Sequence, residues 1–225
     1  MQKMLIQLIV ILCSKITDLS SEEMNQVRKL LEKYRDLFSV SNDKIGVTNI
    51  TKFDIDTDKL SPVATPLRRV PLHHYDIIKE LIAKYMDLGL VDTIDSPFRA
   101  SAVLVAKKNA SNASDVTDQY RLCTDYRALN KHLESPGWPS PSVQQCLDAT
   151  SDSTIFSSID FNSGYHQIPC SDRAKQALAF SPGYGFPQLT WNRMPQGAKP
   201  SSHVFQRTMS YTFKNHEECI PTIFR

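Results

Sequence analysis

The sequence predicts a mixed fold, α/β or α+β, on three observations: helical periodicity near residues 77–86 and 201–213, a strand hairpin across 102–124, and the interleaving of both element types along the chain. At 225 residues with 41% hydrophobic content, the chain can bury one large core or two small ones. Lys+Arg 26 against Asp+Glu 24 leaves a formal net charge of only +2. No global basic field points to nucleic acid, so any such site must be local. The five cysteines are an odd number, widely spaced, and show no C-x-x-C pair. That pattern fits free thiols in a reducing compartment, inside the cell, rather than a disulfide framework or zinc.

Taken in order, Met4 to Cys13 is an apolar run interrupted by Gln7. It is too short to span a bilayer, and no small-x-small cleavage site follows it cleanly. It is read as a buried or partner-docking helix rather than a signal segment, and no membrane partner is expected. Ser20-Ser-Glu-Glu23 is a capping box, and Met24, Val27, Leu30, Leu31, Tyr34 and Phe38 recur at helical spacing, so 20–38 is read as one packed amphipathic helix. Residues 39–52 are polar and turn-rich, a linker. Pro62, Pro66 and Pro71 make 51–71 extended, because proline disfavours helix in the residue before it. In the next helix Ile77, Ile78, Leu81, Ile82, Tyr85 and Met86 share a face, and Gly89 suits its C-terminus. Ala102–Ala106 and Gln119–Thr124 are the hairpin strands, and Ile155–Asp160 with Gly164–Ile168 is expected to be a second strand pair. Val204, Phe205, Thr208 and Met209 mark the helix over 201–213.

Three local features can carry chemistry. Asp160 follows an apolar strand and precedes the turn Asn162-Ser-Gly164, where a carboxylate suits a hard cation such as Mg²⁺. An Asp there is equally ordinary turn chemistry. Lys107, Lys108, Arg121, Arg127 and Lys131 gather around the hairpin, either as a solvated edge or as a clamp on phosphates. Met194-Pro-Gln-Gly197 is a turn ahead of a helix, with Gln196 able to donate and accept hydrogen bonds.

In this order the segments Ser96–Ser101, Val103–Lys108, Tyr120–Lys131, Phe156–Ile168, Met194–Gly197 and Phe205–Met209 resemble the reverse transcriptases of gypsy-like long-terminal-repeat retrotransposons and their retroviral relatives, over residues 34–213. The resemblance implies an α+β right-hand polymerase, fingers and a partial palm with an incomplete sheet and flanking helices. Residues 51–213 would form it, residues 1–50 a helical extension and linker, and 214–225 a divergent tail. It implies that Asp160 is the first of three catalytic carboxylates and that the Phe161 carbonyl helps hold the same Mg²⁺, one of two ions in the complete family site. It further implies that Lys107 or Lys108, with Arg121, contacts the incoming deoxynucleoside triphosphate, that Tyr165 lies under its sugar and excludes a 2′-hydroxyl, and that Gln196 lies near the sugar 3′-position. RNA or DNA primer–template and the remaining Pol segments are the implied partners.

Two departures qualify the resemblance. The family's other two carboxylates lie in a Tyr/Phe-x-Asp-Asp segment, and no Asp-Asp pair occurs in these residues. Two metal ions about 3.5–4 Å apart would lack most of their protein ligands. The expectation is therefore a fragment of an RNA-directed DNA polymerase, inactive alone, with a non-catalytic nucleic-acid-binding or interaction remnant of a retroelement as the alternative. The stretch between Lys108 and Arg121 is also longer than the family's tight fingertip turn. Its sequons at Asn109 and Asn112 have meaning only in a secreted chain.

Overall fold

The computed structural model describes residues 19–38, 45–58, 60–107, 119–134, 137–139, 141–149, 151 and 160–214. The chain divides into two units, Met1–Ile45 and Gly46–Arg225.

In the first unit, helix α1 (Ser21–Lys33) starts at the expected capping box: the Ser20 N–H donates to Glu23 Oε2 at 2.8 Å while the Glu23 N–H donates back to Ser20 Oγ. The helix is shorter than expected, giving way at Tyr34 to a 3₁₀ turn, Arg35–Leu37. None of its residues is fully buried: Met24, Val27 and Leu31 are partly covered, and Leu30 is 57% exposed.

The second unit is α+β, as expected. Helix α2 (Leu72–Asp87) buries Ile78, Leu81 and Ile82 and stops at Gly89, whose φ of +66° only glycine adopts cheaply. The Gly89 N–H donates to the Met86 carbonyl and the Leu90 N–H to that of Tyr85, both at 2.9 Å. This double bond at the helix end satisfies two orphan carbonyls and turns the chain into the sheet.

Strands β1 (Val91–Thr93), β2 (Ala100–Ala106), β3 (Tyr120–Asp125), β4 (Phe180–Ser181) and β5 (Leu189–Trp191) form an open mixed sheet in the order β1-β5-β4-β2-β3. Only β2 and β4 run parallel. The hairpin β2–β3 holds register from Ser101 opposite Asp125 to Ala106 opposite Tyr120. Its tip, 108–118, lies outside the described residues, as does the expected strand 155–159. Helices α3 (Arg127–Asn130), α4 (Val143–Ala149), α5 (Asp172–Ala177) and α6 (Ser201–Thr212) complete the unit.

The proline-rich stretch is extended, as expected, and is tied in at two points. The Phe53 N–H donates to Pro169 O at 2.9 Å while Phe53 O accepts from Ser171, and the Thr65 N–H donates to Arg99 O at 2.8 Å. Phe53 itself is fully buried. The second member of the expected strand pair is corrected: Gly164–Gln167 is a 3₁₀ turn, and extended backbone begins only near Ile168.

Trp191 is the hub of the core, with Phe180 stacked at 5.5 Å, Tyr85 at 5.8 Å and His166 at 5.4 Å. Tyr126, 2% exposed, donates its hydroxyl to the Leu178 carbonyl at 2.8 Å. Tyr126→Phe should cost about 1–3 kcal/mol by orphaning that carbonyl. Urea unfolding at neutral pH measures the loss, and an unchanged midpoint would mean that water replaces the hydroxyl. Among the described residues Cys123 and Cys170 are free thiols, and burial pushes Cys170 up to about 12, so it is inert as a nucleophile. No helix among the described residues is long and apolar enough to cross a membrane.

Candidate functional site

The expected site residues fall on three pieces of the second unit. The first is the loop that carries Asp160, Phe161 and Tyr165. Asp160 is exposed and makes no ion pair with any described residue. After it, Ser163 takes a left-handed φ of 51°, a conformation uncommon outside glycine, and the 3₁₀ turn Gly164–Gln167 follows. Gln167 Nε2 donates to Asn162 O at 2.9 Å, and Gln167 O accepts from the Thr48 N–H at 2.8 Å, which closes the loop.

Packing explains this path. A Cβ at Gly164 would lie 3.0 Å from Phe205 Cζ and 3.1 Å from Phe161 Cβ, so glycine lets α6 approach without displacing either ring. Phe205, buried on α6, stacks face to face on Tyr165 at 4.8 Å with only 7° between the rings. The Tyr165 ring is thereby fixed from one side, half-buried, and burial raises its hydroxyl pKa. Phe161 leans toward Phe213, with ring centres 6.5 Å apart.

The second piece is the turn with Gln196. Met194 is fully buried and donates its N–H to Ile168 O at 2.8 Å, which ties this turn to the Tyr165 loop. Ser201 Oγ donates to Pro195 O at 2.9 Å, and Gly197 adopts φ +93°. The Gln196 side chain is left exposed. A Cβ on Gly197 would sit 3.8 Å from the Thr124 carbonyl, so the turn rests on the end of β3.

The third piece is the hairpin. Lys107 continues the β2 ladder, its N–H donating to Gln119 O at 2.8 Å, while Arg121 lies opposite Val105. Strand alternation puts Lys107 and Arg121 on one face as diagonal neighbours, roughly 7–8 Å apart. Both are exposed, and Lys108 lies outside the described residues. Trp191 joins the pieces: its Nε1–H donates to Thr124 Oγ1 at 3.1 Å, while His166, next to Tyr165, stacks on its ring. Arg121 is three residues up β3 from Thr124, on the order of 10 Å.

One expected cation is committed elsewhere. Arg127 grips Asp125 with two bonds, Nε to Oδ1 at 2.8 Å and Nη2 to Oδ2 at 2.7 Å, and Arg68 adds a third at 3.0 Å. Arg127 above all holds the Asp125 carboxyl down at about 2. It brings no net positive charge to a phosphate clamp.

Spacing alone does not mark Gly164, Phe205, Asn130, His166 or Trp191 as parts of this site. Each acts through a partner far along the chain, a relation that spacing does not encode.

The model of the family described as "Reverse transcriptase (RNA-dependent DNA polymerase)" matches residues 105–224. The chain is 29% identical over 193 residues to the retrovirus-related Pol polyprotein from transposon 412 of Drosophila melanogaster, covering 86% of this chain and 15% of that one. It is 24% identical over 172 residues to the Pol polyprotein from transposon gypsy of the same organism, covering 76% and 16%. Among solved structures, the foamy viral protease-reverse transcriptase in complex with RNA/DNA hybrid superposes with a TM-score of 0.73 at 23% identity, over 96% of this chain and 27% of that one. The same viral protein in complex with double-stranded DNA gives 0.67 at 20% identity, over 99% and 42%.

Proposed function

We propose, from the premise that this chain belongs to the reverse transcriptase (RNA-dependent DNA polymerase) family, that it supplies the nucleotide-selecting part of an RNA-directed DNA polymerase site. Its partners are an RNA or DNA primer–template and a deoxynucleoside triphosphate, within a longer Pol protein. The observation that carries the reading is Tyr165, backed by Phe205, on the same short loop as the exposed Asp160 and tied by Met194 to the turn bearing Gln196.

In this reading the fixed ring of Tyr165 lies under the incoming sugar. A ring stacked on a buried partner cannot yield, so a ribose 2′-hydroxyl meets a wall where a 2′-hydrogen fits. Gln196 offers a donor and an acceptor near the 3′-position. Arg121 with Lys107, or with Lys108, neutralises the triphosphate, a task that suits placed cations. Asp160, with the Phe161 carbonyl, offers hard oxygen donors of the kind Mg²⁺ takes. When bound, that ion supplies activation of the primer 3′-hydroxyl and neutralisation of phosphate charge.

The donor set is partial. Among the described residues no cluster of three His, Cys, Asp or Glu side chains is placed to hold a metal, and Asp160 is the single member of the family's three carboxylates in this sequence. These 225 residues alone therefore bind without polymerising. Primer extension with Mg²⁺ should read zero, and synthesis abolished by Asp160→Asn would overturn that part. The same observation favours a second reading, a retroelement remnant that only binds nucleic acid, held by salt-sensitive phosphate contacts.

Nucleotide binding separates the two. With primer–template and Mg²⁺ present, the chain should bind a deoxynucleoside triphosphate more tightly than its ribonucleoside counterpart, and Tyr165→Ala should erase the preference. Equal binding of both sugars by the unaltered chain would defeat the polymerase reading and leave the remnant.

A further inference from the structure

The Gln196 turn is gripped by a residue that neither the motif reading nor the family match assigns. Asn130 closes α3, and its side-chain amide reaches 67 residues along the sequence. Nδ2 donates to the Gly197 carbonyl at 2.9 Å, and Oδ1 accepts the Lys199 N–H at 2.8 Å. One primary amide thus takes both an acceptor and a donor from alternate residues of one backbone strip, as a neighbouring strand would. Lys199 returns the contact, its Nζ donating to the Leu133 carbonyl at 2.8 Å just beyond the same helix.

The grip falls where the turn is least self-supporting. Gly197 has a φ of +93°, and glycine's freedom lets that conformation relax unless its neighbours hold it. Gln196, directly before it, is exposed, and its side chain makes no hydrogen bond to any described residue. Its direction is therefore inherited from the backbone that Asn130 holds.

We propose that Asn130 is a positioning residue for Gln196, setting the turn so that the Gln196 amide meets the 3′-position of the incoming sugar. The inference rests on the reading of Gln196 given above. Asn130 touches no nucleotide itself. It belongs to the Tyr120–Lys131 segment at the base of the hairpin, so one short stretch of chain carries both a phosphate-contacting Arg121 and the residue that aims the sugar contact.

The test is the discrimination between a deoxynucleoside triphosphate and its 2′,3′-dideoxy analogue, measured by equilibrium binding to the full chain on an RNA/DNA primer–template with Mg²⁺. Asn130→Ala should reduce that discrimination about tenfold, matching Gln196→Ala, with each lost contact of this kind worth roughly a factor of ten. The preference for deoxy over ribo sugars, which belongs to Tyr165, should stay unchanged. A residue that merely stabilised the fold would weaken both preferences together. Should Asn130→Ala fail to fold, Asn130→Asp answers the same question: it keeps the acceptor for Lys199 and sets a carboxylate oxygen against the Gly197 carbonyl, so discrimination should fall at least as far. If Gln196→Ala loses the 3′-discrimination while both Asn130 variants keep it, the proposal is overturned and the reading of the site stands. If Gln196→Ala keeps it too, the reading of Gln196 fails and the proposal with it.

Discussion

Between pH 6.5 and pH 4 the folded chain should lose up to about 3 kcal/mol of stability through His166 alone. Burial, followed by the nearby Arg193 charge, pulls this imidazole down from 6.5 to about 4. The ring lies flat against Trp191, 5.4 Å between centres, leaving little room to hydrate an imidazolium. The sign follows from proton counts. Below pH 6.5 the unfolded chain takes up a proton that the folded chain refuses until about pH 4, so acid favours unfolding across that window. Above pH 6.5 neither state holds the proton, and the contribution is flat.

Of the other shifted groups, Glu23, lowered from 4.5 chiefly by the Ser20 side chain, and Asp54, lowered from 3.8, enter only at the acid edge of this window, and the His166 variant retains them. Asp125, held at about 2 chiefly by Arg127, contributes stability above its unfolded value of 3.8 that disappears only as pH falls toward 2. Tyr126, raised well above 10 by burial, acts only in alkali. Urea midpoints at pH 7 and pH 4.5 isolate the histidine. His166→Phe keeps a flat ring against Trp191 and should remove most of the drop. A drop of equal size in that variant would show that His166 is hydrated after all.

Local pattern carried much of the fold into view. Helix α2 was legible because its apolar face and Gly89 obey helix geometry within a single element, and the hairpin because two apolar strands flank a polar tip. The expected strand at Gly164–Ile168 failed for a non-local reason. Its polar and apolar residues admit a strand, but Phe205, 41 positions later, occupies the space above Gly164, and Ser163 turns left-handed to meet it. For Arg127, which the basic set around the hairpin leaves open between a solvated edge and a phosphate clamp, the fold decides: its guanidinium pairs with Asp125 two residues away, at the bend after β3. In α1 the periodic face is there but none of it is fully buried, because a 3.6-residue stripe states that a face is apolar and never names what covers it. For the site, it is the resemblance to reverse transcriptases, not spacing, that brings Asp160, Tyr165 and Gln196 together. Only the fold shows which residues they pack or bond against, through Phe205, Trp191 and Asn130, since each of these contacts reaches across many tens of residues.

Phe205→Ala should have the largest effect of any single change in the site. The ring is 5% exposed, and truncating a buried phenylalanine costs about 3–5 kcal/mol. That is enough to threaten folding of a domain of this size. Phe205→Leu separates packing from stacking: it fills most of the volume, costs less, and removes the parallel ring 4.8 Å from Tyr165. In that variant Tyr165 keeps its place in the sequence but loses its backing, so the ring can tilt and admit a 2′-hydroxyl. Binding of a deoxynucleoside triphosphate should fall only slightly, while the preference over the ribonucleoside triphosphate falls several-fold. Tyr165→Phe should behave oppositely, since it retains the stack, worth roughly 0.5–1.5 kcal/mol, and loses only a hydroxyl the steric argument does not use. Sugar preference kept by Phe205→Leu and lost by Tyr165→Phe would reverse the argument, making the hydroxyl rather than the rigid ring the discriminating group.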